Sequence, residues 1–166
     1  MRIMSRLFLF GLVVGFIYVG CQSKKPADKF AQFNQSFFAM YIPEFPGARL
    51  LTKADIPEKQ QVFFDEENGQ LQLLLDMNNN TISEYIICGV SDSMLQKNEK
   101  GAYFIAMFEE TKTGIVRHLI QQLWIAPVNL KPSNERSGVT ISFAFKSEYA
   151  AEIYYKNNKY HLQRWF

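Results

Sequence analysis

The spacing of apolar positions along this chain changes three times. Residues 7–20, LFLFGLVVGFIYVG, form one apolar or small run behind Arg2 and Arg6. The polar stretch QSKKPADK follows Cys21, and then Phe30, Phe33, Phe37 and Tyr41 recur at spacings of three and four. That period puts the aromatic rings on one face of a helix, with Asp28 as its cap and Pro43 as its end. An aromatic stripe of this kind suits the side of a helix that packs on a sheet. IPEFPGARLL, with its prolines and Gly47, reads as an extended, turning connection.

From residue 60 the pattern becomes that of strands. QVFF, GQLQLLLD, SEYIICGV, GAYFIAMFEE, GIVRHLIQQLWI, GVTISFAFKS and YAAEIYYKNNKYHLQRWF are apolar or alternating runs rich in β-branched and aromatic residues. Asn-Gly, Gly and Asn-Asn signals separate them, and short links favour antiparallel neighbours. The expected fold is α+β and mainly β, an N-terminal helix packed on an antiparallel β-meander sheet. The last run sets its own register. A two-residue turn at Asn157 and Asn158 pairs Tyr155 with Tyr160, Ile153 with Leu162 and Ala151 with Arg164, with Tyr154/His161 and Glu152/Gln163 on the other face. The same register sets Lys156 opposite Lys159, a mild repulsion that a longer loop would relieve. KNEKG and KPSNERSG read as exposed loops.

Composition narrows the function. With 15 Phe and 8 Tyr the chain can bury a sizeable core, and the roughly 145 residues after the first run suit one domain, 28–166. The chain has 18 basic and 16 acidic residues, and without Arg2 and Arg6 the two signs balance. A neutral domain offers no broad basic face, so no nucleic-acid partner is expected. Cys88 lies in the apolar run EYIICGV, where a buried, inert thiol is the expected state.

A basic start, a short apolar middle and a small residue before the cut point read as an export signal over residues 1–20. A run of about fourteen residues falls short of the twenty or so that cross a bilayer core, so an ordinary secretory signal suits it better than an uncleaved anchor. YVGC, residues 18–21, resembles the lipobox of bacterial lipoproteins, with Tyr18 where Leu is usual, and both of those readings stand as alternatives to a lipoprotein signal. The resemblance implies that the signal is cut before Cys21, that the Cys21 sulfur carries a diacylglyceryl group, and that the new amino terminus is acylated with a fatty acid such as palmitate. Two or more acyl chains hold a protein stably on a membrane, because each buried methylene contributes about 0.8 kcal/mol. Residues 21–27 would then be the lipidated cysteine and a polar tether. Gln22, where Asp would retain the protein at the inner membrane, implies the outer membrane of the cell envelope.

DMNNNTISEYIICGV, residues 76–90, alternates oxygen-bearing side chains before an apolar strand. Oxygens on a tightly curled loop can converge on a hard cation. The stretch is not a helix–loop–helix calcium hand, because Thr81 and Ile87 stand where that loop has Gly and Glu. It resembles the strand–loop–strand calcium motif of FG-GAP and VCBS repeats. The resemblance covers about fifteen residues, occurs once, and implies a hairpin but not a propeller, which needs several blades. It makes Asp76, Asn78, Asn80 and Glu84 side-chain ligands of calcium, with the Ile82 carbonyl adding a backbone oxygen. Thr81 replaces the usual Gly, and only two of the four side chains are charged, so the expected affinity is weak, in the millimolar range of extracellular modules. The same residues also suit a metal-free hairpin, since Asn and Asp tolerate left-handed angles and bond their own turns.

Catalytic arrangements are not evident. The sequence has no H-E-x-x-H, C-x-x-C, G-x-S-x-G or phosphate loop. His118 and His161 fall in expected strands with no nearby partner in sequence. The pairs Glu66-Glu67 and Glu109-Glu110 flank turns, where solvated strand ends explain them. The sequence therefore favours a non-catalytic binding module, held on the membrane by its lipid, that captures an envelope protein or glycan. The alternatives are a structural envelope protein without a specific ligand and a periplasmic or surface hydrolase, which would need a pocket where His118 or His161 meets a carboxylate or hydroxyl.

Overall fold

The computed structural model describes residues 28–134, 136–143 and 150–165; the signal, the lipobox and Cys21 lie outside the described residues. The order is α1 (Gln35–Tyr41), β1 (Ala48–Leu50), a 3-10 turn (Lys53–Asp55), α2 (Glu58–Glu66), β2 (Gln72–Leu75), β3 (Glu84–Ser91), α3 (Asp92–Gln96), β4 (Tyr103–Thr111), β5 (Gly114–Leu123), β6 (Pro127–Pro132), β7 (Gly138–Phe143), β8 (Ala150–Lys156) and β9 (Lys159–Trp165). The fold is mainly β with antiparallel pairing throughout and a few short helices, as the periodicity indicates.

The strands divide into two sheets. In the first, β3 pairs with β4 and β4 with β5, while β2 and β1 lie end to end along the other side of β3. In the second, β6, β7, β8 and β9 follow in sequence order. A meander therefore runs within each sheet. The chain changes sheet at residues 124–126, and Pro127, which has no N–H to give a ladder, opens the edge strand of the second sheet.

Between the sheets, Ile86, Cys88, Val90, Ile105 and Met107 meet Val128, Leu130, Val139, Ile141 and Ile153 in one core. On the opposite face of the first sheet, Ile87, Phe104, Ala106 and Phe108 are covered by Phe33, Phe37, Phe38, Ile42 and Phe45. Strand β3 is thus covered on both faces, which explains why EYIICGV is continuously apolar rather than alternating. Gly89 is required by this packing, since a Cβ there would sit 2.1 Å from the Phe104 ring. Each fully buried apolar side chain contributes about 1.5–3 kcal/mol.

The aromatic stripe packs on the sheet, with Phe37 against Phe108 edge to face at 5.1 Å and Phe33 against Phe37 at 4.8 Å. Its helix is shorter than the spacing suggests. Asn34, whose Oδ1 accepts the Phe37 N–H at 3.1 Å, caps α1, while Asp28 accepts the Phe30 N–H in a preceding turn. QVFF is helical rather than a strand. It lies inside α2, and Phe63 and Phe64 pack from there against the inter-sheet core. The elements α3 and β6 carried no clear period in sequence; Ser91 caps the first through its Oγ.

The final hairpin has the register read from sequence, including Lys156 opposite Lys159. Asn157 and Asn158 have φ of 53° and 58°, the left-handed pair that a two-residue hairpin turn demands. No helix among the described residues is long and apolar enough to cross a membrane.

Candidate functional site

At one end of the sandwich three features meet: the 76–83 loop joining β2 to β3, an irregularity in β5, and the β8–β9 turn. DMNNNTIS does form a hairpin bend, with Leu75 opposite Glu84. Asp76 Oδ1 and Oδ2 accept the N–H groups of Asn80 and Thr81 at 3.2 and 2.9 Å. Asn78 Oδ1 accepts the Asn80 N–H at 3.0 Å, and Asn80 Oδ1 accepts that of Ile82 at 2.8 Å. Asn79 and Thr81 take φ of 58° and 71°. The loop closes on its own backbone donors, as Asp and Asn do in tight turns.

The fourth side chain of the expected calcium set points elsewhere. Glu84 is fully buried; its Oε2 accepts the Met77 N–H at 2.8 Å and its Oε1 accepts the Tyr160 hydroxyl. Asp76, Asn78 and Asn80 thus share the loop, Ile82 is exposed with its N–H bound to Asn80, and Glu84 faces the space between the sheets. The amide groups of the two asparagines reach the same space. Asn78 Nδ2 donates to Tyr160 Oη at 2.7 Å, and Asn80 Nδ2 donates to Glu109 Oε1 at 2.9 Å.

Glu109 stands directly opposite Glu84 in the β3–β4 ladder. It is buried, not a solvated strand end as the sequence suggests; Glu110, its neighbour, is exposed, because adjacent strand residues face opposite ways. Glu109 Oε2 lies 2.8 Å from His118 Nε2. This contact depends on an extra residue in β5. Met107 pairs with Leu119 but Phe108 pairs with Arg117, so His118 is the unpaired residue of a bulge, which re-aims its side chain.

His118, Tyr155, Asn158, Lys159, Tyr160 and Asn78 line a cleft of about 390 Å³. The Tyr160 ring lies 4.8 Å from the His118 ring and 4.9 Å from that of Tyr155. Burial pushes the Tyr160 phenol well above its ordinary pKa, and its bond to the Glu84 carboxylate adds to the shift, so the hydroxyl stays protonated. In the neutral imidazole that donates from Nε2 to the Glu109 carboxylate, Nδ1 is the acceptor nitrogen. Among the described residues Nδ1 has no hydrogen-bond partner, and the side chain is 24% exposed.

Sequence reasoning found the loop, the hairpin register and His118 as a strand residue, but not their convergence. The bulge and the approach of β9 to β3, 76 residues apart at the Tyr160–Glu84 bond, leave no local signal. His161, by contrast, stacks on Tyr154 on the outer face of the second sheet, its Nε2 3.2 Å from the Lys156 carbonyl. Cys88 is buried, and that burial pushes its thiol up, which makes it unreactive.

A second concavity, apolar, lies at the opposite end, lined by Leu123, Trp124, Ile125, Phe143, Leu162 and Arg164, with Trp124 exposed. Compared with family models, with curated proteins and with solved structures, the chain matches none.

Proposed function

We propose that the chain is a membrane-anchored envelope lipoprotein that acts as a non-catalytic binding module, with the His118–Tyr155–Tyr160 cleft as its ligand site. The carrying observation is the cleft itself, where three aromatic rings, two amides and an ammonium stand side by side, so that apolar faces and polar groups are offered together. Its polar walls are fixed in advance, since Tyr160 and His118 are each held by a buried carboxylate.

The tether fits this reading. Phe30 packs edge to face on Tyr85, next to Glu84, so the described chain begins at the end of the sandwich that carries the cleft. The seven residues from Cys21 to Asp28 span at most about 25 Å. A lipid on Cys21 would therefore keep the cleft close to the bilayer and favour a ligand that is itself part of the envelope.

Calcium remains an accessory in this proposal. The oxygens of Asp76, Asn78 and Asn80 keep second lone pairs beyond their backbone bonds, and the Ile82 carbonyl is the expected backbone ligand. Glu84 would have to leave Tyr160 to join them, so the loop offers a single carboxylate, Asp76, whose oxygens already accept two backbone N–H groups, which argues for weak affinity.

A second reading has one specific observation behind it. His118 meets a carboxylate beside a cleft, the arrangement a surface hydrolase requires for a general base. Incubation with candidate substrates separates the readings, because turnover that disappears in His118→Gln would replace the binding module by an enzyme.

The direct test of the binding module is a photoreactive residue at position 158 in the anchored chain, with a second at Lys112 as a control. The proposal expects a cross-linked envelope component from position 158 alone, lost when Cys21→Ser frees the chain from the membrane. Equal cross-linking from both positions, or none from either, would reject it.

A further inference from the structure

We infer that the ligand of this cleft is a saccharide. The inference rests on the binding-module reading and names the chemistry that the cleft would recognise. The cleft presents both a hydrogen-bond acceptor and several donors within one small space. Nδ1 of the neutral His118 imidazole, whose Nε2 is taken by Glu109, accepts, whereas Asn158 and Lys159 bring N–H donors to the rim. Among the described residues Lys159 has no ion-pair partner, and Tyr160 is already engaged with Glu84 and Asn78.

A ligand that satisfies this set must donate to the imidazole and accept from the amide and ammonium groups at neighbouring atoms. Hydroxyl groups do both. It must also carry an apolar face, because Tyr155, Tyr160 and His118 form a continuous aromatic lining with ring centroids 4.8 to 4.9 Å apart. A pyranose ring combines these features: axial C–H groups on its faces and hydroxyls around its rim. A peptide would leave the imidazole acceptor dependent on one backbone N–H, and a fatty chain would leave His118 Nδ1, the Asn158 amide and the Lys159 ammonium without partners.

The geometry also assigns roles. Glu109 is a positioning residue, acting through the imidazole by holding Nε2 of a ring that lines the cleft. His118 is the contact that reads a ligand hydroxyl. Asn158 and Lys159, on and after the β8–β9 turn, are the rim donors.

The test is titration of the full chain, in detergent, with cellotetraose, chitotetraose and tetragalacturonate, followed by amide and aromatic NMR shifts. At least one of the three is expected to shift the Tyr155 and Tyr160 ring signals with a Kd below about 1 mM. His118→Leu should then weaken that binding about tenfold or more, and Lys159→Ala, an exposed change that leaves the fold intact, about threefold or more. The inference is overturned if no saccharide moves those signals at about 10 mM, if the shifts fall at Trp124 instead, or if both variants bind as the parent does. Failure here together with cross-linking from position 158 rejects the saccharide and keeps the binding module. Failure of both rejects both.

Discussion

The Tyr160 hydroxyl is the residue-scale device on which the cleft depends. It donates to a carboxylate that has no access to water and accepts from Asn78. Tyr160→Phe removes the donor while leaving Glu84 buried, so unfolding in urea should show a loss of about 1–3 kcal/mol. Glu84→Gln, which keeps an acceptor for the hydroxyl, should cost less than the Phe change. An unaltered midpoint in Tyr160→Phe would mean that the carboxylate finds another partner. Arg49 supplies a second residue-scale prediction, this one in pH. It binds Asp55 through both nitrogens of its fork at 2.7 and 2.6 Å and also reaches Asp92. The Arg49 guanidinium, helped by Thr52, lowers the Asp55 carboxyl from 3.8 to about 2 against the opposing effect of burial. A carboxyl depressed in the folded state adds stability that is complete above its ordinary pKa and is lost as pH falls through the folded value. Stability should therefore decline between about pH 4 and pH 2, and Asp55→Asn should flatten that part of the profile while lowering stability at neutral pH.

At the scale of elements, the β8–β9 hairpin was fully legible because its information is local: alternating faces, and two asparagines tolerant of left-handed angles. Asn158→Gly should raise the melting temperature modestly, since glycine carries no penalty at that angle, while removing a rim donor from the cleft. The aromatic stripe was legible as a face but not as a length, because Asn34 rather than Asp28 makes the capping bond. QVFF failed as a strand for a related reason. A short apolar run suits either structure, and the choice was settled by the core contacts of Phe63 and Phe64. Phe108, fully buried beneath Phe33, Phe37 and Tyr41, joins α1 to the first sheet. Phe108→Ala should cost about 3–5 kcal/mol by thermal or urea unfolding. The site was the least legible part. Glu109, His118 and Tyr160 come from three strands in two sheets, and the bulge that turns His118 inward appears only when β4 and β5 are paired.

For the whole molecule, the two sheets and the helix make a body whose one end gathers the 76–83 loop, the cleft and the start of the described chain. If that end is tied to a membrane through Cys21, the cleft samples a shallow zone above the bilayer. Calcium, as an accessory of the loop, should raise the melting temperature as its concentration passes the dissociation constant, by the linkage of binding to folding. The effect should vanish in Asp76→Ala. The anchor is the claim that carries the placement, and intact-mass analysis of the mature native protein tests it most directly. The expected product is a chain that starts at Cys21 and is heavier than its sequence by a diacylglyceryl group and a fatty acyl chain. A chain of unmodified mass, or one that starts at any other residue, would contradict it.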